Sequence, residues 1–228
     1  LSDPTGPLPQ GPTSPPCSPS PDPGQSGSER DTGYAADVHR VLLVGLAENV
    51  ILPTYRDFRT RATALVAAAT AYKASLSEAD LMTLREAWRQ AMQVWQHAEV
   101  LQVGPAGSMT TALGGEDRRS EIYSWPTVNA CRVDQELTED AHSDAGTLGS
   151  EMVNTRGLDA MEYLLFGDLE LNECKSQSAI NAEGTWQALV DAGELPARRA
   201  AYLHSISVLV AQEAESLVDV WEDDETGF

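Results

Sequence analysis

Residues 77–99 read SEADLMTLREAWRQAMQVWQHAE. Leu81, Leu84, Trp88, Ala91 and Trp95 recur at intervals of three and four, the period of an α-helix with one buried side. Ser77, followed by Glu78 and Asp80, suits the start of such a helix. The hydroxyl can accept a first-turn N–H, and the acids lie near the positive end of the helix dipole. Val103-Gly104-Pro105 ends the pattern.

The same period extends in both directions. Upstream, Tyr55, Phe58, Ala62, Leu65, Ala69 and Tyr72 form a second stripe. Before it, Val38, Val41, Gly45 and Leu52 recur at helical spacing, with Asp31 or Thr32 as a starting cap. Pro53 is expected to kink or end that first helix, because it lacks an N–H and crowds the preceding turn. Downstream, residues 104–146 read as irregular apart from a short helix around Arg119–Tyr123. A helix from about Thr147 to Phe166 follows, with Leu148, Met152 and Phe166 on one face and Leu158, Met161 and Leu165 on the other. A helix apolar on nearly every side is expected to be buried, and Gly167 would end it. Further helices are predicted over about Ser176–Asp191 and Pro196–Trp221, the last striped by Leu203, Ile206, Val210, Ala214 and Leu217. No alternating run is long enough for a strand. The fold class is all-α, an antiparallel helical bundle.

The domain reading is a tether over 1–33 and a helical domain over 34–228. Nine of the 13 prolines fall in Leu1–Gly33, a stretch too rich in Pro, Ser and Gly to bury a core, and it is expected to be disordered. Such a tether suits a protein held away from a cell-envelope surface, with a leader or lipid anchor upstream of Leu1. The longest apolar run, Val41–Leu46, is far short of the ~18 residues needed to cross a bilayer.

A formal net charge of −20 excludes nucleic acid and anionic membranes as partners, since both are bound mainly through Lys and Arg. It would draw cations or a basic partner, or simply keep the chain in solution. Three cysteines are too few for a disulfide scaffold. Cys17, in the tether, is expected to be unpaired. Cys131 and Cys174 flank a strong helix in polar stretches; export would permit a bridge between them, and the alternative is two free thiols.

Three acids carry the chemistry. Glu99 falls near Trp88 and Trp95 on a helical projection, so a carboxylate sits in a stripe expected to face the core. Burying it unpaired costs several kcal/mol. It needs a cation, a proton or a salt bridge to an arginine. Asp159 and Glu162, three apart, project to one side of their helix together with Tyr163 and Phe166. If the two helices pack, three carboxylates converge, and a hard cation would relieve the repulsion through oxygen ligands. The histidines show no paired helical spacing, and His97 points away from Glu99. There is no phosphate loop, nucleophile elbow or zinc-protease signature.

The stretch Gly157-Leu158-Asp159-Ala160-Met161-Glu162-Tyr163-Leu164-Leu165-Phe166 resembles the G-x-H-x-x-E-Y-L-L-F segment of the imelysin family. Val50-Ile51-Leu52-Pro53-Thr54-Tyr55, Ala87-Trp88-Arg89, Trp95 with Glu99, Gly104-Pro105 and Arg119-Ser120-Glu121-Ile122-Tyr123-Ser124-Trp125-Pro126 match further family segments, in the family's order. The resemblance implies an exported, periplasmic or lipid-anchored helical protein linked to bacterial iron uptake. It also brings a metallopeptidase alternative, because the family was so classed on its His-x-x-Glu. Carried over by position, Asp159 stands where the histidine stands, Glu162 matches the glutamate, and Glu99 matches an acid after the helical Trp. Two departures follow. Aspartate in place of histidine removes the only nitrogen ligand and weakens a zinc peptidase. The family also packs two bundles together, whereas this chain carries one bundle's worth of helices.

The expectation is therefore a metal site at Glu99, Asp159 and Glu162, supported by Trp88, Trp95, Arg156 and Tyr163. The expected ion is iron, with calcium and manganese as alternatives of similar chemistry. An envelope iron-transport component is the expected partner. The competing readings are a peptidase using the same carboxylates and a metal-free interaction module whose acids pair with Arg156 or Arg89.

Overall fold

The computed structural model describes residues 28–223, apart from 141 and 169. Every regular element among them is helical. The chain divides into two compact units, Leu1–Leu42 and Leu43–Phe228. In the first, the described residues belong to helix α1 (Ser28–Leu46). The expected tether lies outside the described residues up to Gly27, and α1 opens at Ser28, ahead of the predicted start at Asp31 or Thr32. Val38 and Val41 are exposed rather than facing a core.

In the second unit, α2 (Leu52–Ser75) carries Pro53 in its first turn. Pro53 does not end the helical path, which runs on from α1 through Ala47–Ile51 into α2. The turn before it, Ala47–Ile51, widens instead, with the Leu52 N–H reaching back five residues to the Ala47 carbonyl. Helix α3 (Glu78–Ala98) starts as its sequence predicts: the Ser77 hydroxyl accepts the Asp80 N–H at 3.2 Å. Only Leu76 and Ser77 separate α2 from α3, so the two run antiparallel as a hairpin.

The long last helix, here called α10 (Leu195–Glu222), packs along α2. Arg56 meets Glu222 at 2.7 Å and Arg59 meets Glu215 at 3.2 Å, so one index rises as the other falls, and these helices too are antiparallel. The predicted stripes fill the space between them. Tyr55, Phe58 and Leu65 of α2, Leu84 and Trp95 of α3, and Ile206, Val210 and Leu217 of α10 are all buried. Each such side chain contributes about 1.5–3 kcal/mol on leaving water. Phe58 and Trp95 meet with ring centres 4.8 Å apart.

Between α3 and α10 lie six shorter helices: α4 (Arg118–Ile122), α5 (Ala130–Glu139), α6 (Ala145–Gly149), α7 (Gly157–Phe166), α8 (Ala179–Ala182) and α9 (Thr185–Ala192). The predicted helix over Thr147–Phe166 is thus broken. Helix α6 ends at Gly149 and α7 opens only at Gly157, whose φ of +87° is open to glycine and costly for other residues. Met152 and Phe166 are exposed, while Leu148, Leu158, Met161 and Leu165 are buried. The predicted fourth helix is likewise split, at Gly184 with φ of +73°. Helix α5 arises inside the region expected to be irregular. The Asn129 side chain caps it by accepting the Arg132 N–H.

Cys131 and Cys174 form a disulfide, with α-carbons 4.5 Å apart. The bridge fastens the first turn of α5 to the segment ahead of α8. One turn further along α5, the buried Asp134 carboxylate accepts the Glu173 N–H at 2.8 Å, so two adjacent ties hold the same segment.

Candidate functional site

Helix α7 lies antiparallel to α3: Arg85 donates to the Leu165 carbonyl, and Trp88 donates through its indole N–H to the Leu158 carbonyl, both at 2.9 Å. Trp88 also meets Phe166 edge-on at 5.3 Å, and Arg85 and Arg89 lie over the Phe166 ring. This packing sets Asp159, in the first turn of α7, toward the end of α3 where Glu99 sits. Helix α4 closes the arrangement. A Cβ built on Gly157 would fall 2.9 Å from the Ile122 carbonyl oxygen, so the end of α4 rests directly on the start of α7.

The segment from Arg119 to Ser124 links two of the three acids. Arg119 forms an ion pair with Glu99 and also donates to the Trp125 carbonyl at 3.3 Å. Ser124 donates through its hydroxyl to Asp159 Oδ2 at 2.5 Å. The half-buried Tyr123 lies between them in sequence. Burial raises its phenol, and Glu162, Asp159 and Glu99 each push in the same direction, against Arg119. All three acids named from sequence thus bear electrostatically on one tyrosine.

Their circumstances differ. Asp159 is 3% exposed, and Oδ1 has no hydrogen-bond partner of normal geometry. Burial raises its carboxyl, offset in part by Ser124 and by nearby backbone N–H groups of Ser124, Asp159 and Ala160. Glu99 is about a quarter exposed and bound to Arg119. Glu162 is exposed. An all-oxygen, carboxylate donor set has the chemistry for a hard cation, and the unsatisfied Oδ1 fits it too. The set is not assembled, however. Among the described residues, no three His, Cys, Asp or Glu side chains form a group able to hold a metal ion.

The arginines expected to neutralise the acids do other work. Arg156 pairs with Glu121 at 2.7 Å and donates to the Leu148, Gly149 and Glu151 carbonyls, tying down the break before α7. Arg89 pairs with Glu86. Trp95 is buried core. Tyr163 donates through its hydroxyl to the Asp134 carboxylate at 2.9 and 3.0 Å, linking α7 to α5 rather than to the acids. His97 is exposed. Arg119, Tyr123 and Ser124 were not predicted as site residues. Helical periodicity gives no hint of them, and their one signal was the matching run from Arg119 to Pro126.

Comparison with known proteins places this geometry. The profile of the family described as Imelysin, peptidase M75, matches residues 51–228. The crystal structure of an imelysin-like protein from Psychrobacter arcticum 273-4 superposes with a TM-score of 0.62 at 20% identity, covering 82% of this chain and 51% of that one. A Parabacteroides distasonis ATCC 8503 protein, described as an iron-regulated protein A precursor, superposes with a TM-score of 0.53 at 21% identity, covering 78% of this chain and 43% of that one. The chain thus spans about half the length of these solved structures, and the likeness to them is one of fold. Among curated proteins none matches. With most of its length matched by the family profile, and the same helical fold, the chain belongs to the imelysin family.

Proposed function

We propose that this protein acts in iron uptake at the bacterial cell envelope, as an exported imelysin-type protein that binds a metal ion through Glu99, Asp159 and Glu162. One observation carries the reading: Asp159, in the first turn of α7, is buried with Oδ1 lacking a hydrogen-bond partner of normal geometry. Burial of a carboxylate without a compensating charge costs stability, and such perturbed groups cluster at functional sites. Oxygen donors favour iron, manganese or calcium over zinc. With Asp159 in the histidine position, the residues give a zinc peptidase little support. The iron-regulated description of the Parabacteroides protein agrees with an iron role.

Calorimetric titration with iron, calcium and zinc tests this. The wild type should bind iron or calcium more tightly than zinc, and Glu162→Ala should weaken binding at least tenfold, since Glu162 is exposed and its loss should spare the fold. No heat with any ion would overturn the reading. A metal-free interaction module is the second reading, favoured by the Arg119–Glu99 ion pair, which already neutralises one acid. Cleavage of a peptide library, abolished by chelation, would instead favour the peptidase.

A further inference from the structure

We propose that this protein pairs with a second copy of itself through an uncharged apolar face built from residues 43–51 and 100–115. The pairing does not depend on the cation reading above. It starts from the distribution of charge. Residues 100–115 read VLQVGPAGSMTTALGG, sixteen positions without a charged side chain, and residues 43–51 carry one, Glu48. Charged residues make up 22% of the chain, so a run of sixteen would ordinarily hold about three or four. Nor are these runs buried. Leu43, Leu46, Val50, Val103 and Met109 are exposed, and Leu113 is 90% exposed. The two runs meet at Val103. It lines one hollow of about 300 Å³ with Leu43, Leu46, Ile51 and Trp221, and a second of about 440 Å³ with Thr111 and Leu113. A continuous apolar surface of this kind marks a site of association.

The face is held in shape before any partner arrives. The Tyr55 hydroxyl donates to the Leu101 carbonyl at 2.7 Å, the Asp117 N–H to the Gly107 carbonyl at 2.9 Å, and the Met109 N–H to the Asp117 carboxylate at 3.1 Å. Little ordering is then left to oppose association. Charge selects the occupant. Two molecules of −20 each repel through their acidic surfaces, and this face lets them meet without setting carboxylate against carboxylate. The centres of protein interfaces are depleted of charge in the same way. The acids bordering the longer run, Glu99 and Glu116, are already paired with Arg119 and Arg118. Shape agrees, because a two-fold pair needs projections and hollows on one patch, and Leu43 and Leu113 project beside the two hollows. A basic partner would find no counter-charge here. Segments that lie on membranes add Lys or Arg to their apolar side chains, and neither run holds one.

Sedimentation equilibrium on the full chain tests the pairing. Between about 5 and 500 µM in 500 mM NaCl, the mass should rise from that of one chain toward that of two. In 50 mM NaCl, where the net charges are screened less, the same degree of pairing should need at least about threefold more protein. Leu113→Glu, at a position too exposed to matter for folding, should weaken pairing at least about tenfold by placing a charge inside the uncharged face. Val103→Glu, between the two hollows, should do the same. Met82→Glu adds an equal charge at an exposed apolar residue of α3 outside the face, and should leave pairing within about twofold of wild type. Should Val103→Glu not fold, Leu113→Glu decides alone. A wild type still monomeric at the highest concentration in 500 mM NaCl overturns the proposal. So does a dimer that Leu113→Glu weakens no more than Met82→Glu does. Co-sedimentation of a monomeric wild type with phosphatidylcholine vesicles would overturn it too, by assigning the face to lipid.

Discussion

Asp134 sits fully buried in α5, taking hydrogen bonds from the Tyr163 hydroxyl and the Glu173 N–H. Burial pushes its carboxyl up to about 6 despite those donors and the nearby Arg199. An acid whose folded value exceeds its unfolded one binds its proton more tightly when folded. Between about pH 4 and pH 6 the unfolded chain therefore carries fewer protons, and stability falls as pH rises through that window. The expected loss is at most about 3 kcal/mol. Glu136, pushed up to about 7 by burial, adds to the same slope. Asp134→Asn, which keeps an acceptor for both donors, should flatten the change in melting temperature between pH 4 and 6; an unchanged slope would remove Asp134 as its source. At this scale the sequence was half legible. The stripe of Trp88 and Trp95 pointed to Glu99 as an acid facing the core; it stands just past the end of α3, a quarter exposed and paired with Arg119. Its partner, Arg119, lies 20 residues on in a segment without periodicity, and Ser124 reaches Asp159 across 35 residues. Only the packing of the Arg119–Ser124 segment against the end of α3 and the start of α7 creates those pairs.

Among the elements, α2, α3 and α10 could be read directly, because each presents an apolar stripe over many turns. The region between them could not. Its helices are at most ten residues long, and short helices take their stability from tertiary packing rather than from their own pattern. The run from Thr147 to Phe166 shows the consequence, since it leaves the α-helix over residues 150–156 and resumes at Gly157 with a positive φ. Gly157→Ala should cost roughly 1–3 kcal/mol, combining a strained φ with a Cβ set against the Ile122 carbonyl. Chemical denaturation would measure it, and a loss under about 0.5 kcal/mol would show that α4 shifts freely. The disulfide makes a second prediction at this scale. Removing it by Cys131→Ser with Cys174→Ser should lower stability by about 2–4 kcal/mol, for a bridge spanning 43 residues. Hydrogen exchange at the Glu173 amide should rise at the same time, because one of the two ties from α5 to that segment is then lost.

For the whole molecule, the charge of −20 dominates. Many carboxylates repel one another in the folded state, and added salt screens that repulsion over a Debye length of about 10 Å at 0.1 M. The melting temperature should rise between 50 mM and 500 mM NaCl. A fall would mean that ion pairs such as Arg56–Glu222 outweigh the repulsion. The class of the fold was legible at this scale because helical period needs no knowledge of contacts, whereas the course of the chain between the long helices depends on them. No helix among the described residues is long and apolar enough to cross a membrane. The five tryptophans are also unequally placed: Trp88, Trp95 and Trp186 are buried, while Trp125 is 57% exposed and offers its carbonyl to Arg119. The protein therefore carries its own optical probe. Excited near 295 nm, the red edge of its emission should come mainly from Trp125 and be the part most readily quenched by acrylamide, so a spectrometer can follow the neighbourhood of Arg119 without any label.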